Sequence, residues 1–297
     1  MEKILMRFYK FVYQLVPFKQ TIYTGLRKFP IPYSIYKHLH FNGIINIAVE
    51  QCTYFKILNC GNEDETELFW VGLENSWDKE SIKLWLKLCK KKPKQIIFDL
   101  GANSGIFSLV AQSVSPNSEI FAFEPVKVIY ERLKNNILMN NYRVTCENLA
   151  VSDTDGNTII YVPPNAYQSY SASLDANFPC LPKNAILTEI GATRLSSYIE
   201  SNNISQIDLL KIDVEGYEPQ VLRGLDDYLA SFMPDILIEV LSNEIGKELE
   251  SILDGFGYLY FDIDEAAGPQ LVPNILKSVN YNYFICKPQT AKHLGLL

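Results

Sequence analysis

Histidine is scarce in this chain. His38, His40 and His293 are the full set, and all three lie outside the stretch from 99 to 239 where the motifs gather. A carboxylate is therefore a better candidate than imidazole for proton transfer there, unless the N-terminal part folds over the cleft. Cysteine occurs six times (Cys52, Cys60, Cys89, Cys146, Cys180, Cys286), with no C-x-x-C pair and no metal-ligand spacing. Such thiols read as small core hydrophobes in a reducing compartment. No run approaches the ~18 apolar residues of a membrane span. The first residues resemble a signal h-region, but Arg7 and Lys10 interrupt it and no small-residue cleavage site follows. These absences together predict a soluble, cytoplasmic protein. Two nucleotide signatures are also missing: no G-x-G-x-x-G follows the first strand, and no Gly-Lys-Ser/Thr completes a P-loop.

What is present is ordinary globular composition, 47% hydrophobic and 21% charged over 297 residues. The net charge of -7 is unevenly placed, since residues 1–42 hold seven Lys and Arg against Glu2 alone. That segment is +6 (seven minus one) and the remainder is -13 (-7 minus 6). A basic arm on an acidic body either meets an anionic surface, such as lipid headgroups, or is the solvated face of short helices; the body offers no reason to bind nucleic acid. Within the arm, Ile4, Leu5, Phe8, Phe11, Val12 and Leu15 recur at helical spacing until Pro17. This predicts an amphipathic basic helix over 1–16 that makes peripheral membrane contact, at the inner face of a membrane, or docks on the body or on a second subunit.

Ile45, Ile47 and Val49 alternate like the buried face of a strand, which predicts a small β element over 43–59. Residues 78–89 read as a helix with acids at its start and lysines at its end, so the run from Lys90 to Lys94 is a helix terminus and turn rather than a nucleic-acid patch. From Gln95 onward short apolar runs alternate with helical patterns. Strands are expected at 96–100, 119–123, 144–151, 207–212, 235–241, 258–263 and 281–286, with helices at 106–112, 126–140, near Gln220 and at 243–253. Between Asp153 and Arg194 the order breaks: Asp155-Gly156-Asn157 predicts a hairpin turn, and a Tyr- and Ser-rich stretch follows. Seven strands alternating with helices predict a mostly parallel α/β sheet covered on both faces. The expected division is an N-terminal basic helical and β extension over 1–77 and the main domain over 78–297.

In such sheets, ligands bind beyond the carboxyl ends of the strands. The first turn, FDLGANSG at 98–105, has glycines at 101 and 105 but Asn103 between them, and Asp99 just before. An acidic side chain there repels a pyrophosphate and suits a cation. S-adenosylmethionine carries an ammonium and a sulfonium and no phosphate. Glu124 ends the second strand in FAFEP, where a carboxylate can accept from both ribose hydroxyls. Asp213 and Glu215 end a later strand in LLKIDVEGYE, and Glu239 ends the next in PDILIEV. Carboxylates on that edge can orient a hydroxyl, take its proton or share a divalent ion. No spacing demands a metal, and none is assigned. The Tyr- and Ser-rich segment 161–178, with Tyr167, Tyr170, Ser169, Ser171 and Ser173, is either an acceptor-recognition loop or an exposed hairpin extension.

The ordered set FDLGANSG, FAFEP, NLAVSDTDG, LLKIDVEGYE and PDILIEV resembles the FkbM-type S-adenosylmethionine-dependent methyltransferases over residues 95–287. The resemblance implies a class I methyltransferase, Rossmann-like sheet and O-methylation in polysaccharide, glycolipid or natural-product synthesis. It places Asp99, Gly101, Ala102, Asn103 and Gly105 at the methionine end, Glu124 on the ribose, Ala150 beside the adenine, and Asp213, Glu215 and Glu239 toward a small-molecule or glycan acceptor. One departure is Thr193-Arg194-Leu195-Ser196, where similar sequences often have Thr-Thr-Leu-Asp. Two other readings remain: a nucleoside-binding or scaffolding protein without turnover, and an NAD-dependent oxidoreductase, against which the missing G-x-G-x-x-G argues.

Overall fold

The computed structural model describes residues 18–164, 172–176, 178 and 181–297. The expected helix over 1–16, and residues 165–171 and 177 of the Tyr- and Ser-rich segment, lie outside the described residues. The chain begins with α1 (Lys19–Leu26) and α2 (Tyr33–Tyr36), then an antiparallel hairpin of β1 (Gly43–Glu50) and β2 (Thr53–Asn59). Ile45, Ile47 and Val49 are its buried face, as their alternation predicts. Two helices follow, α3 (Glu63–Val71) and α4 (Lys79–Cys89). The N-terminus of α4 is capped from far along the chain: the Glu80 and Ser81 amides and the Ser81 hydroxyl donate to Glu265. At its other end the lysine run forms ion pairs, Lys90 with Glu50, Lys91 with Asp235, Lys92 with Asp208 and Lys94 with Glu119.

The main sheet starts with β3 (Ile96–Leu100), α5 (Ile106–Val114), β4 (Glu119–Phe123), α6 (Lys127–Met139) and β5 (Val144–Glu147). Next come β6 (Ala150–Ser152), β7 (Gly156–Val162), β8 (Ile186–Arg194) and α7 (Leu195–Ser201). The chain re-enters the sheet with β9 (Leu209–Ile212), α8 (Glu218–Arg223), α9 (Asp227–Phe232), β10 (Asp235–Glu239), α10 (Asn243–Leu253), β11 (Leu259–Asp264), β12 (Gly268–Val272), β13 (Asn282–Cys286) and α11 (Pro288–Leu294). The order across the sheet is β12-β11-β13-β10-β9-β3-β4-β5. β3, β4, β5, β9 and β10 run parallel, and β13 is antiparallel to both neighbours. This is the Rossmann-like class I arrangement expected from the sequence, with β12 added at one edge.

Alternation along each strand builds two apolar layers. Ile97, Ile120, Ala122, Leu209 and Leu237 face one core; Phe98, Phe121, Phe123, Leu210, Ile236 and Ile238 face the other. The first core is continuous with the N-terminal elements, because Phe55, Ile57, Leu68 and Trp85 pack in it beside Leu109 and Leu133.

Two expectations are corrected. The single strand predicted over 144–151 is two strands in different sheets: Asn148 turns its amide onto the carbonyls of Glu124 and Pro125 (2.9 and 2.8 Å), which diverts the chain after β5. The turn at 155–157 does not close a hairpin. It joins β6 to β7, and both pair with β8, which lies between them in a separate three-stranded sheet. β12 went unpredicted because Gly268-Pro269-Gln270-Leu271-Val272 reads as a loop; it is paired to β11 by a turn in which Asp264 accepts from the amides of Ala266 and Ala267.

Candidate functional site

β3 lies between β4 and β9, so the chain leaves it in one direction and later returns on the other side. At this switch point the strand ends open a crevice. A cavity of ≈ 350 Å³ occupies it, lined by Gly101, Ala102, Asn103, Glu124, Ala150, Asp213, Glu215 and Glu239, along with Trp77, Asp78, Lys211 and Tyr281. The structure thus brings together eight of the ten predicted site residues. Asp99 and Gly105 are the two outside the lining.

The turn after β3 is tied to the neighbouring strand end. The amides of Gly101 and Ala102 both donate to the Phe123 carbonyl (3.1 and 2.9 Å). Gly101 has φ 75°, and a Cβ built on it would lie 1.7 Å from the Asp213 carbonyl oxygen, so only glycine lets the turn touch the end of β9. Gly105, at φ 91°, opens α5 where a Cβ would lie 2.5 Å from Leu133, so its role is packing of α5 on α6. Strand alternation puts Asp99 on the same face as Ile97, beneath α5, where Ser108 donates to it at 2.6 Å. Its charge acts on the cavity through Lys211, which is buried and donates to Asp213 Oδ2 at 2.9 Å. The negative charges of Asp213 and Asp99 keep the Lys211 ammonium charged against the cost of its burial.

Glu124 is buried at the end of β4, and burial pushes its carboxyl up to about 7. It accepts from the amides of Asn103 (3.1 Å) and Val126 (2.8 Å), leaving lone pairs on both oxygens for a ligand diol. Asn103 sits in the left-handed region (φ 49°) and is held there from outside the turn. Arg132 Nη2 donates to its Oδ1 at 2.7 Å, and Arg132 Nη1 lies 3.6 Å from Glu65 of α3. One turn along α6, Asn136 donates to the Ser104 carbonyl (2.8 Å) and accepts from the Leu58 amide of β2 (2.9 Å). The N-terminal elements therefore brace the turn through two side chains of α6. Sequence reasoning missed this brace, although a buried-face Arg and Asn within a helix whose neighbours are Leu133 and Ile137 were a readable signal.

At the far end of the cavity the carboxyls crowd one another. Burial, then the charges of Asp213 and Glu218, push Glu215 up to about 9. Burial and the same neighbours, with Glu215, raise Glu239 well above the ordinary range. Burial, then Glu265 and Asp213, bring Asp78 to about 7, and Glu218 is pushed to about 7 chiefly by burial. Glu239 Oε2 is a buried atom with no hydrogen-bond partner among the described residues. Glu218, the helix-start acid, accepts from the Val214 and Gly216 amides and so closes the loop after β9 (3.2 and 3.1 Å). Glu215 stands in the left-handed region at φ 57°, its carbonyl accepting from the Ser173 hydroxyl at 2.6 Å.

Raised carboxyls hold protons in the folded state that the unfolded chain releases near pH 4. Their stabilising effect is complete below that pH and is lost as pH rises through the folded values. The thermal midpoint of the ligand-free protein is accordingly expected to fall between pH 7 and pH 9. Glu215→Gln, which cannot ionise, should flatten the decline; a midpoint equally steep in the variant, read by calorimetry, would contradict the assignment.

The other walls are apolar. Val126 and Ile129 pack against Ile160 and Val162 of the three-stranded sheet, with Ala172 and Leu174 beside them. The arrangement offers a flat apolar slot, a carboxylate set for a diol, and an acidic far end fronted by aromatic rings.

Comparison with known proteins identifies the relatives of this chain. It is 29% identical over 164 residues to "Methyltransferase 1" of Beauveria bassiana, a match that covers 50% of this chain and 65% of that protein, just under two thirds of its length. It is 29% identical over 192 residues to the 31-O-demethyl-FK506 methyltransferase FkbM of Streptomyces tacrolimicus, covering 56% of this chain and 74% of that one. The hexuronic acid methyltransferase AglP of Haloferax volcanii is 25% identical over 196 residues, covering 63% and 72%. The methyltransferase FkbM domain model matches residues 99–260, which hold the whole motif set from Asp99 through Glu239, and the chain belongs to that family.

Proposed function

We propose that the protein transfers a methyl group from S-adenosylmethionine to a hydroxyl oxygen of a sugar-containing acceptor. The observation that carries this reading is that a single cavity joins Glu124, suited to a ribose diol, to the carboxyls of Asp213, Glu215 and Glu239. Its volume of ≈ 350 Å³ falls in the usual ligand range of roughly 300–1,000 Å³. The residues fit the donor: Glu124 keeps free lone pairs, the wall of Val126, Ile129 and Leu149 suits a purine, and the unpartnered Glu239 Oε2 suits a cationic or hydroxyl donor. Bound there, S-adenosylmethionine supplies an electrophilic methyl carbon on a sulfonium.

The protein's own part is alignment and proton handling. Asp213, held at Oδ2 by Lys211, accepts the hydroxyl proton as the acceptor oxygen gains its methyl group. Glu215, pushed to about 9, retains its proton at neutral pH and donates a hydrogen bond to an acceptor oxygen, and burial raises Glu239 in the same direction. Trp77 and Tyr281, both lining the cavity and each more than a third exposed, offer faces on which a sugar ring can stack. AglP, named for a hexuronic acid, supports a sugar acceptor by relationship.

Calorimetric titration with S-adenosylmethionine, S-adenosylhomocysteine and NAD tests the donor. The first two are expected to bind and NAD is not; the reverse would sink the reading. Glu124→Gln should raise the dissociation constant for S-adenosylhomocysteine about tenfold, the value of one hydrogen bond to a charged group. Release of S-adenosylhomocysteine in the presence of a panel of glycosides and uronosides, read by mass spectrometry, tests the chemistry. Binding without release across the panel would favour a scaffolding role.

A further inference from the structure

The N-terminal elements brace the turn on one side, and on the other they carry an apolar surface that is exposed among the described residues. Ile22 and Leu26, four apart, share one side of α1, and Phe18 and Phe29 flank the helix just before and after it. Phe18 and Phe29 are 79% and 67% exposed, and Ile22 and Leu26 are exposed between them. Tyr23, about a quarter-turn round α1 from Ile22, is buried against Phe41 and Trp70, so the helix is already anchored along one edge. Tyr33 and Ile35 extend the exposed surface through α2.

The charged residues of this segment itself are of one sign, and it meets an acid, Glu63 of α3, at Tyr33. Residues 18–42 contain Lys19, Arg27, Lys28 and Lys37 and no Asp or Glu, in a protein whose net charge is -7. We infer that this face docks on an anionic lipid surface, with Phe18, Ile22, Leu26 and Phe29 at the acyl boundary and Lys19, Lys28 and Lys37 among the headgroups. Aromatic and aliphatic side chains on one face with basic residues alongside and no acids are the composition of an interfacial helix. An anionic membrane attracts this segment and repels the acidic remainder, so the charge distribution also orients the molecule. The orientation is relevant to the cavity: Tyr33 donates to Glu63 in the first turn of α3, and the adjacent Asp64 lines the cavity. The segment that carries the docked face is thus linked through Tyr33 and Glu63 to a residue next to the cavity lining.

Co-sedimentation of the full-length protein with vesicles tests the inference. Vesicles of phosphatidylcholine with one-third phosphatidylglycerol are expected to bind it, and pure phosphatidylcholine is not. Raising salt to about 0.5 M, where screening acts within a few ångströms, should release much of it. Lys28→Glu should weaken partitioning about fivefold or more, given the attraction per basic residue near such a surface. Ile22→Asp together with Phe29→Asp should abolish it. Both positions are exposed, so circular dichroism and the affinity for S-adenosylhomocysteine should match the unsubstituted protein. Unchanged vesicle binding in these variants would overturn the inference, as would binding to neither vesicle. A concentration-dependent dimer that dissociates in the double variant, with no vesicle binding, would assign the face to a second copy and equally overturn it.

Discussion

Asp213→Asn is expected to lower turnover by about 10²- to 10⁴-fold, the usual contribution of a positioned proton acceptor. That range corresponds to roughly 3–5 kcal/mol of barrier. The amide keeps the size of the carboxyl but cannot take a proton. The expected pattern is a fall in kcat with the dissociation constant for S-adenosylhomocysteine changed by no more than about threefold, since Glu124 and the turn are untouched. The substitution also deprives Lys211 of its hydrogen-bonded carboxylate, so the thermal midpoint should be measured alongside. Glu215→Gln is the contrast, its carboxyl being pushed up to about 9. A protonated Glu and a Gln both donate, and its effect at neutral pH should stay within about tenfold. Full turnover in the Asp213 variant would remove it from the mechanism.

The second large effect lies away from the chemistry. Arg132 is 2% exposed and Glu65 fully buried, so Arg132→Met removes a buried ionic partner of Glu65 and should destabilise the fold by roughly 3–5 kcal/mol. It also frees Asn103 from its left-handed conformation, so affinity for S-adenosylhomocysteine should fall as well. The two consequences separate in the pair Arg132→Met with Glu65→Gln. Removing both charges should restore much of the stability without restoring the affinity, because no donor then reaches Asn103. Were affinity and stability to recover together in a denaturant and calorimetric series, the contact would be structural only.

Much of this was legible in the chain, and the reasons are local. The strands β3, β4, β9 and β10 are short apolar runs ending in acids or glycine, and their ends are where the cavity lies. Glu124, Asp213 and Glu239 could be placed because strand termini in a parallel sheet share one edge. Asp99 was harder: it stands at the right height, but alternation turns it beneath α5 onto Ser108 rather than into the cavity. The break between β5 and β6 was invisible because the side-chain amide of Asn148, not a proline or glycine, diverts the chain. The polar residues Arg132 and Asn136 on the buried face of α6 were readable, but their partners Glu65 and Ser104 lie dozens of residues away, and a single sequence does not encode that pairing.

The contact between Gly101 and the Asp213 carbonyl has a bearing on how members of such a family diverge. Donor turn and acceptor strand meet backbone to backbone, so neither can shift to suit a new substrate without moving the other. In the proposed reaction, the spacing between the turn after β3 and Asp213 is in effect a constant of the scaffold. New acceptors must then be accommodated by what surrounds that contact: Ala172 and Leu174 after β7, Trp77 ahead of α4 and Tyr281 ahead of β13 are the parts free to be redrawn.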